Sequence, residues 1–322
     1  MSRILVIRPS SLGDIVHALP IVHDLHRHRP GIEIDWVAEE PFTALVGMNR
    51  GVRRVIPVAL RRWRRHALAP ATWREIGTFR RDLARERYDA VIDLQEQLKG
   101  ALIAWFARGP VHGPDRISVR EPAATLFYRH SYRINPRQHL IDRCRHLAGK
   151  ALGYAPAGPP RFELRAPALR DSPRAPYAVF LHVTSRNDKL WPEAHWIALL
   201  EHFTRSGLTV VLPWGSAEEA ARSGRLAAAS SEALVPPRHS VPELAAVLAR
   251  AALVVGVDTG LTHLAAALGT PTIALFVATD PRLAGVEQAS ARARDLGAAG
   301  NVPLPEQVIA AAGTLMRAQE SC

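Results

Sequence analysis

The chain has 322 residues, about twice the usual length of one domain, and its 48% hydrophobic and 22% charged content excludes a disordered or fibrous protein. No apolar run reaches the roughly 20 residues that span a bilayer, and two cysteines, Cys144 and Cys322, are too few for a disulfide framework or a thiolate metal site. The net charge is +11, with 41 Lys and Arg against 30 Asp and Glu, and its distribution is uneven. Residues 1–165 carry 28 basic and 16 acidic side chains, net +12; the remainder carries 13 and 14, net −1. That split points the first half toward an anionic partner, with arginine-rich compositional drift as the competing explanation.

In chain order, the opening residues are too short for a signal peptide and read directly as a strand, and the low cysteine count fits a chain folded in a reducing compartment. Strands are expected at 3–8, 33–37, 54–57 and 89–94, with amphipathic helices at 15–28 and 73–87 between them. A break follows at 154–176, where Pro156, Pro159, Pro160, Pro167, Pro173 and Pro176 interrupt any periodicity. The second half repeats the rhythm, with strands at 178–182, 209–213, 253–257 and 272–276. Its helices are expected at 193–205, 217–229, 241–250, 261–268 and 305–316, the last open to packing on either half. Strand–helix alternation of this kind predicts an α/β chain of two doubly wound parallel sheets facing a central cleft. The boundaries expected are a first domain at 1–160, a Pro-rich linker at 161–176 and a second domain at 177–322.

Three turns at strand ends carry chemistry. The first strand runs into Pro9-Ser10-Ser11-Leu12-Gly13-Asp14, which matches neither nucleotide-binding fingerprint. Asp14 suits two roles: a carboxylate favouring a helix start, or a general base facing a hydroxyl. The second turn, Val183-Thr184-Ser185-Arg186-Asn187-Asp188-Lys189-Leu190-Trp191-Pro192, offers hydroxyls and one ammonium, a set suited to phosphate or to an ordinary solvated loop. Trp191 and Trp196 read as packing residues. The third is Asp258-Thr259-Gly260-Leu261-Thr262-His263, a strand-to-helix turn whose free amides can seat an anion. There Asp258 and Thr259 are equally suited to capping the helix, and His263 to a place in the core. The 14 histidines show no metal-ligand spacing, no Gly-x-Ser-x-Gly elbow occurs, and the basic half contains no recognisable nucleic-acid-binding module.

Taken together and in this order, Ser10–Asp14, the 187–192 segment and the 258–263 segment resemble those of the lipopolysaccharide heptosyltransferases, glycosyltransferase family 9, and the type I members more than type II. The likeness extends to residues 88–94, Arg120-Glu121-Pro122 and Thr279-Asp280-Pro281, while Val277-Ala278 and His239 depart from the usual pattern.

The resemblance implies a GT-B fold with two Rossmann-like domains, acceptor on the first and nucleotide sugar on the second. It implies an inverting glycosyltransferase that moves L-glycero-D-manno-heptose from ADP-heptose to the Kdo of Kdo-lipid A. Asp14 would be the base and Lys189 the cation at the leaving diphosphate, with no cofactor or metal required. Thr184, Ser185, Lys189, Glu219, Asp258, Thr259, Gly260, Leu261, Thr262 and His263 would bind the donor, Glu219 at the ribose. Ser10, Ser11, Gly13, Arg61, Arg64 and Arg120 would face the acceptor, with residues 61–65 on a mobile segment. The expected partners are the two substrates and the anionic inner leaflet of the inner membrane, whose cytoplasmic face the protein would occupy peripherally. Competing readings are heptosyltransferase II, another GT-B nucleotide-sugar transferase, or a non-catalytic protein that binds anionic lipid. An epimerase should show a dinucleotide fingerprint, which is absent.

Overall fold

The computed structural model describes residues 2–168, 173 and 176–320, so Cys322 and part of the expected linker at 161–176 lie outside the described residues. The chain divides into two compact units, Met1–Glu163 and Leu164–Cys322.

In the first unit, β1 (Arg3–Ile7), β2 (Glu33–Glu39), β3 (Arg54–Val58), β4 (Ala90–Asp93), β5 (Val111–Pro114) and β6 (His130–Tyr132) form one sheet in the order β3-β2-β1-β4-β5-β6. All of its pairings are parallel. The second unit repeats this order with β7 (Tyr177–Leu181), β8 (Thr209–Val211), β9 (Ala233–Leu234), β10 (Leu253–Val257), β11 (Thr272–Phe276) and β12 (Ala293–Gly297), arranged β12-β11-β10-β7-β8-β9. The central strands are buried along their length, which is why they read as continuous apolar runs rather than alternating ones.

Four strands escaped the sequence reading: β5, β6, β9 and β12. Three lie at sheet edges, and all four are short or rich in polar, glycine or proline residues, so packing rather than propensity places them. The single helix expected at 15–28 is two helices, Leu12–Ala18 and Pro20–His28. Pro20 has no N–H to donate to the preceding turn, so the helix restarts there. The helix expected at 73–87 runs instead from Pro70 to Leu83, with proline at its permissive first position. Residues expected on a mobile segment form the short helix Leu60–Arg65, in which Arg62 pairs with Glu40 and Glu75.

The final helix, Pro305–Glu320, packs on the second unit, where Val308, Ala312 and Leu315 join Trp191, Trp196 and Phe203 in the core. Trp191 and Trp196 are fully buried, the packing role expected of them. No helix among the described residues is long and apolar enough to cross a membrane.

The first unit also buries charge. Arg145, on the helix Leu140–Leu152, grips both oxygens of Asp24 at 2.7 and 3.0 Å and donates to the carbonyls of Ala157 and Gly158. One residue earlier on that helix, Cys144 is a buried thiol. Removing one partner of a desolvated pair leaves the other charge stranded, at a cost of about 3–5 kcal/mol. Arg145→Met should therefore destabilise the first unit by that order in urea unfolding, and a loss below about 1 kcal/mol would show that Asp24 rehydrates freely.

Candidate active site

Both sheets begin with their central strand, so the chain winds outward in both directions and the loops after β1 and β4, and after β7 and β10, diverge at the carboxyl edge. Ligands in doubly wound sheets bind at such points. Ser10, Ser11, Gly13 and Asp14, the residues singled out at 184–189 and those at 258–263 fall there, whereas Arg61 and Arg64 follow β3, Arg120 follows β5 and Glu219 follows β8.

After β1, Asp14 occupies the first turn of the helix Leu12–Ala18 and reaches back to Ser11. The Ser11 N–H and hydroxyl both donate to Asp14 Oδ2 at 2.9 Å, so the helix-capping role is real. The other oxygen, Oδ1, lies 3.1 Å from a guanidinium nitrogen of Arg8, whose side chain is 5% exposed and also donates to the Leu94 carbonyl at the end of β4. Burial pushes the Asp14 carboxyl up, but Arg8, the two Ser11 hydrogen bonds and Arg120 together hold it below its ordinary value. Asp14 is thus an ionised, oriented carboxylate that remains 28% exposed.

Around it the structure brings Ser10, whose N–H donates to Gln95 Oε1 at 3.3 Å and whose hydroxyl accepts from Lys99 at 3.3 Å. Burial, followed by the nearby Arg61, lowers the Lys99 pKa against the opposing pull of Glu39, Asp14 and Glu121. Arg61 is anchored through its own N–H to Glu39 Oε1 at 2.8 Å. Arg120 is exposed and within electrostatic reach of Asp14 and Glu96. Gly13 is buried in the first helical turn. Arg64 is exposed and has no hydrogen bond or ion pair to this cluster among the described residues.

Arg8, Gln95 and Lys99 were missed in the sequence reading: Arg8 passed as the end of a strand, and the other two become neighbours of Asp14 only once β4 is known to lie beside β1. Beneath them Asp93 accepts from Tyr128 Oη at 2.8 Å and from the Gln95 N–H at 2.8 Å, and burial pushes it up to about 7.

In the second unit, Asp258 closes β10. Its Oδ2 accepts from Lys189 Nζ at 2.6 Å and from Thr279 Oγ1 at 2.7 Å, while Oδ1 lies 3.2 Å from His263 Nε2. Burial raises this carboxyl, but His263, Lys189 and Thr279 outweigh it and hold the group well below the ordinary carboxylate range. Thr184 donates to the Asp258 carbonyl at 3.2 Å, tying the loop after β7 to the end of β10. Asp258 is therefore a hub rather than a helix cap, and Thr259, at the cap position of the helix Gly260–Ala267, makes no side-chain capping bond.

Leu261 is half-buried in the first turn of that helix, and Thr262 turns inward to the Val257 carbonyl at 2.7 Å. The inward turn requires Gly256, since an added Cβ would lie 2.2 Å from Thr262 Oγ1. Ser185 is exposed on the loop. Glu219 folds over the start of its helix, accepting from the Gly215 N–H at 2.6 Å; β8 neighbours β7, so its loop opens on the same edge. No group of three His, Cys, Asp or Glu side chains that could hold a metal ion occurs among the described residues.

Two doubly wound units in one chain, each with a polar cluster at its switch point, have the GT-B architecture, the fold of the solved heptosyltransferases. The model for glycosyltransferase family 9 (heptosyltransferase) matches residues 76–308, and the chain belongs to that family. It is 44% identical over 287 residues to lipopolysaccharide heptosyltransferase 1 of Salmonella typhimurium, covering 88% of this chain and 90% of that one. To the Pseudomonas aeruginosa protein of the same name it is 46% identical over 289 residues, covering 88% and 81%. The E. coli heptosyltransferase WaaC solved with ADP is 40% identical with a TM-score of 0.87, covering 99% of each chain. The same enzyme with ADP-2-deoxy-2-fluoro heptose gives 39% and 0.86, covering 96% and 98%.

Replacing Arg8 by Met should raise the Asp14 pKa, as read by carboxyl carbon NMR titration. The sign follows from the pair: a carboxyl held below its unfolded value of about 3.9 adds stability above that pH and loses it as pH falls through the folded value. An Asp14 titration unchanged by the substitution would show that Arg8 does not govern it.

Proposed function

We propose that this chain transfers a heptose from ADP-heptose to the Kdo sugar of Kdo-lipid A in lipopolysaccharide inner-core synthesis, with inversion. The observation that carries the reading is the pair of switch-point clusters, an ionised carboxylate at Asp14 and a cation at Lys189, in a family 9 chain. The type 1 enzymes at 43–46% identity favour this acceptor over that of the Salmonella heptosyltransferase 2, at 26%. The WaaC complexes with ADP and with an ADP-heptose analogue support the donor.

In the reaction the acceptor hydroxyl oxygen forms its bond to the anomeric carbon while the bond to the diphosphate breaks on the opposite face. Asp14 takes the hydroxyl proton. Arg8 and Ser11 keep it ionised near neutrality and aim it, at the cost of a weaker base, so the proton moves late, when the attacking oxygen has become acidic. Negative charge leaves with ADP and is offset by Lys189, by the Thr184 and Ser185 hydroxyls, and by the amides opening the helix Gly260–Ala267, whose cap position supplies no competing side chain. Glu219 offers two acceptor oxygens to the ribose diol. Arg61, Arg64, Arg120 and Lys99 supply the positive field for the acceptor's carboxylates and phosphates. The excess of basic residues in the first half supports peripheral attraction to an anionic leaflet at the cytoplasmic face of the inner membrane.

The test is ADP release from ADP-heptose with and without deacylated Kdo-lipid A. Acceptor-dependent release supports the reading; binding of lipid without release makes the chain a non-catalytic binder. In the same assay Asp14→Asn should cut turnover roughly 10²–10⁴-fold and leave ADP affinity unchanged; near-normal turnover would remove Asp14 from the role of base. Lys189→Ala should weaken ADP binding by about 1.5–3 kcal/mol and slow turnover. Unchanged affinity and rate would mean that the diphosphate sits elsewhere.

A further inference from the structure

The helix Leu98–Trp105 buries Gly100, Ala101, Ile103 and Ala104 and turns Leu98, Leu102 and Trp105 outward. Spacings of four and three place these side chains on one face. Trp105 is 60% exposed and meets the ring of Phe127 edge-on at 6.1 Å between centroids. Phe127 ends the helical turn Pro122–Phe127, which packs on that helix through Ala124 against Ala101 and leaves Leu126 84% exposed. A core helix and its neighbouring turn have no internal reason to keep a tryptophan and three leucines in water, and exposed apolar residues gathered in this way mark an interaction surface.

The surrounding charge identifies the partner. Residues 98–133 hold six basic side chains, Lys99, Arg108, Arg116, Arg120, Arg129 and Arg133, against two acidic ones. Both acids are engaged: Glu121 accepts from the Leu98 N–H and from Gln97, and Asp115 accepts from the N–H groups of Ile117 and Ser118 and pairs with Arg133 at 3.7 Å. An aromatic and aliphatic face bordered by largely unopposed cations has the chemistry of an interfacial element that enters an anionic bilayer. Its placement fits an amphiphilic substrate. Lys99, in the first turn of the same helix, reaches Ser10 beside Asp14, and Arg120 lies two residues before the turn Pro122–Phe127.

We propose that the face formed by Leu98, Leu102, Trp105 and Leu126 docks on an anionic phospholipid surface, so that a lipid-anchored acceptor presents its sugar to the Asp14 turn while its acyl chains stay in the bilayer. The proposal rests on the acceptor reading above and adds to it the face that meets the bilayer.

The experiment measures co-sedimentation of the full chain with vesicles of phosphatidylglycerol and phosphatidylethanolamine, and with phosphatidylcholine alone. The wild type should partition onto the anionic vesicles. The double substitution Leu102→Gln with Trp105→Gln should lower that partition at least about tenfold, since burying even one leucine side chain contributes that much. Leu126→Gln, at a site too exposed to disturb folding, should lower it as well, and Leu283→Gln in the second unit should not. With acceptor embedded in vesicles the double variant should show a raised acceptor KM; with deacylated acceptor its kinetics should match the wild type.

Equal partition of wild type and both face variants would overturn the proposal. So would concentration-dependent self-association of the wild type that the variants abolish, because the face would then belong to a second copy. If partition follows the expected pattern but no acceptor supports ADP release, the enzymatic reading fails while the membrane face stands.

Discussion

A parallel sheet brings the carboxyl end of every strand to one edge, and a chain that starts in the middle of the sheet must leave a gap in the backbone there. Both units of this protein are wound in that way, with β1 beside β4 and β7 beside β10. The gap is where backbone groups lack sheet partners and where polar side chains can converge without breaking a ladder. Asp14 with Arg8, and Lys189 with Asp258, are the same solution used twice on unrelated local sequences. The first cluster joins a helix start to a buried strand-end guanidinium; the second joins two loops through one carboxylate.

The electrostatics of the two clusters follow from how desolvation is offset. Burial alone raises a carboxyl pKa, as Asp93 shows: with one phenol and one amide as donors it is pushed up to about 7. Asp14 and Asp258 are only partly buried and both are held low, because each faces cationic or imidazole partners on one oxygen and donors on the other. The protein therefore keeps Asp14 and Asp258 charged near neutrality and leaves Asp93 close to its titration point. The contrast comes from the partners each group meets, since all three are aspartates at or near strand ends.

The elements that could be read from the sequence are those with strong local signals. The helices Glu193–Arg205 and Val241–Arg250 and the strands Leu253–Val257 and Thr272–Phe276 have the bounds expected from periodicity alone. The strands β5, β6, β9 and β12 lacked such a signal, and the break at Pro20 was concealed by an apolar stripe that continues across it. The turn motifs containing Asp14, Lys189 and Asp258 were legible because hydroxyls and charge, joined by a glycine in the first and third, coincide with a strand end. What could not be read was adjacency: Lys99 lies 89 residues from Ser10, and Thr279 lies 21 from Asp258. Such pairs are set by strand order, which no local pattern encodes.

The thiol of Cys144 sits on the helix Leu140–Leu152, fully enclosed, and burial pushes its pKa up to about 12. The thiolate is the form that attacks alkylating reagents, so this side chain is chemically silent for as long as its surroundings stay closed. Its rate of modification therefore measures how often the first unit opens, independently of any substrate or partner. The folded protein thus carries a built-in clock for local unfolding, set beside the ion pair of Arg145 and Asp24 that holds the region together.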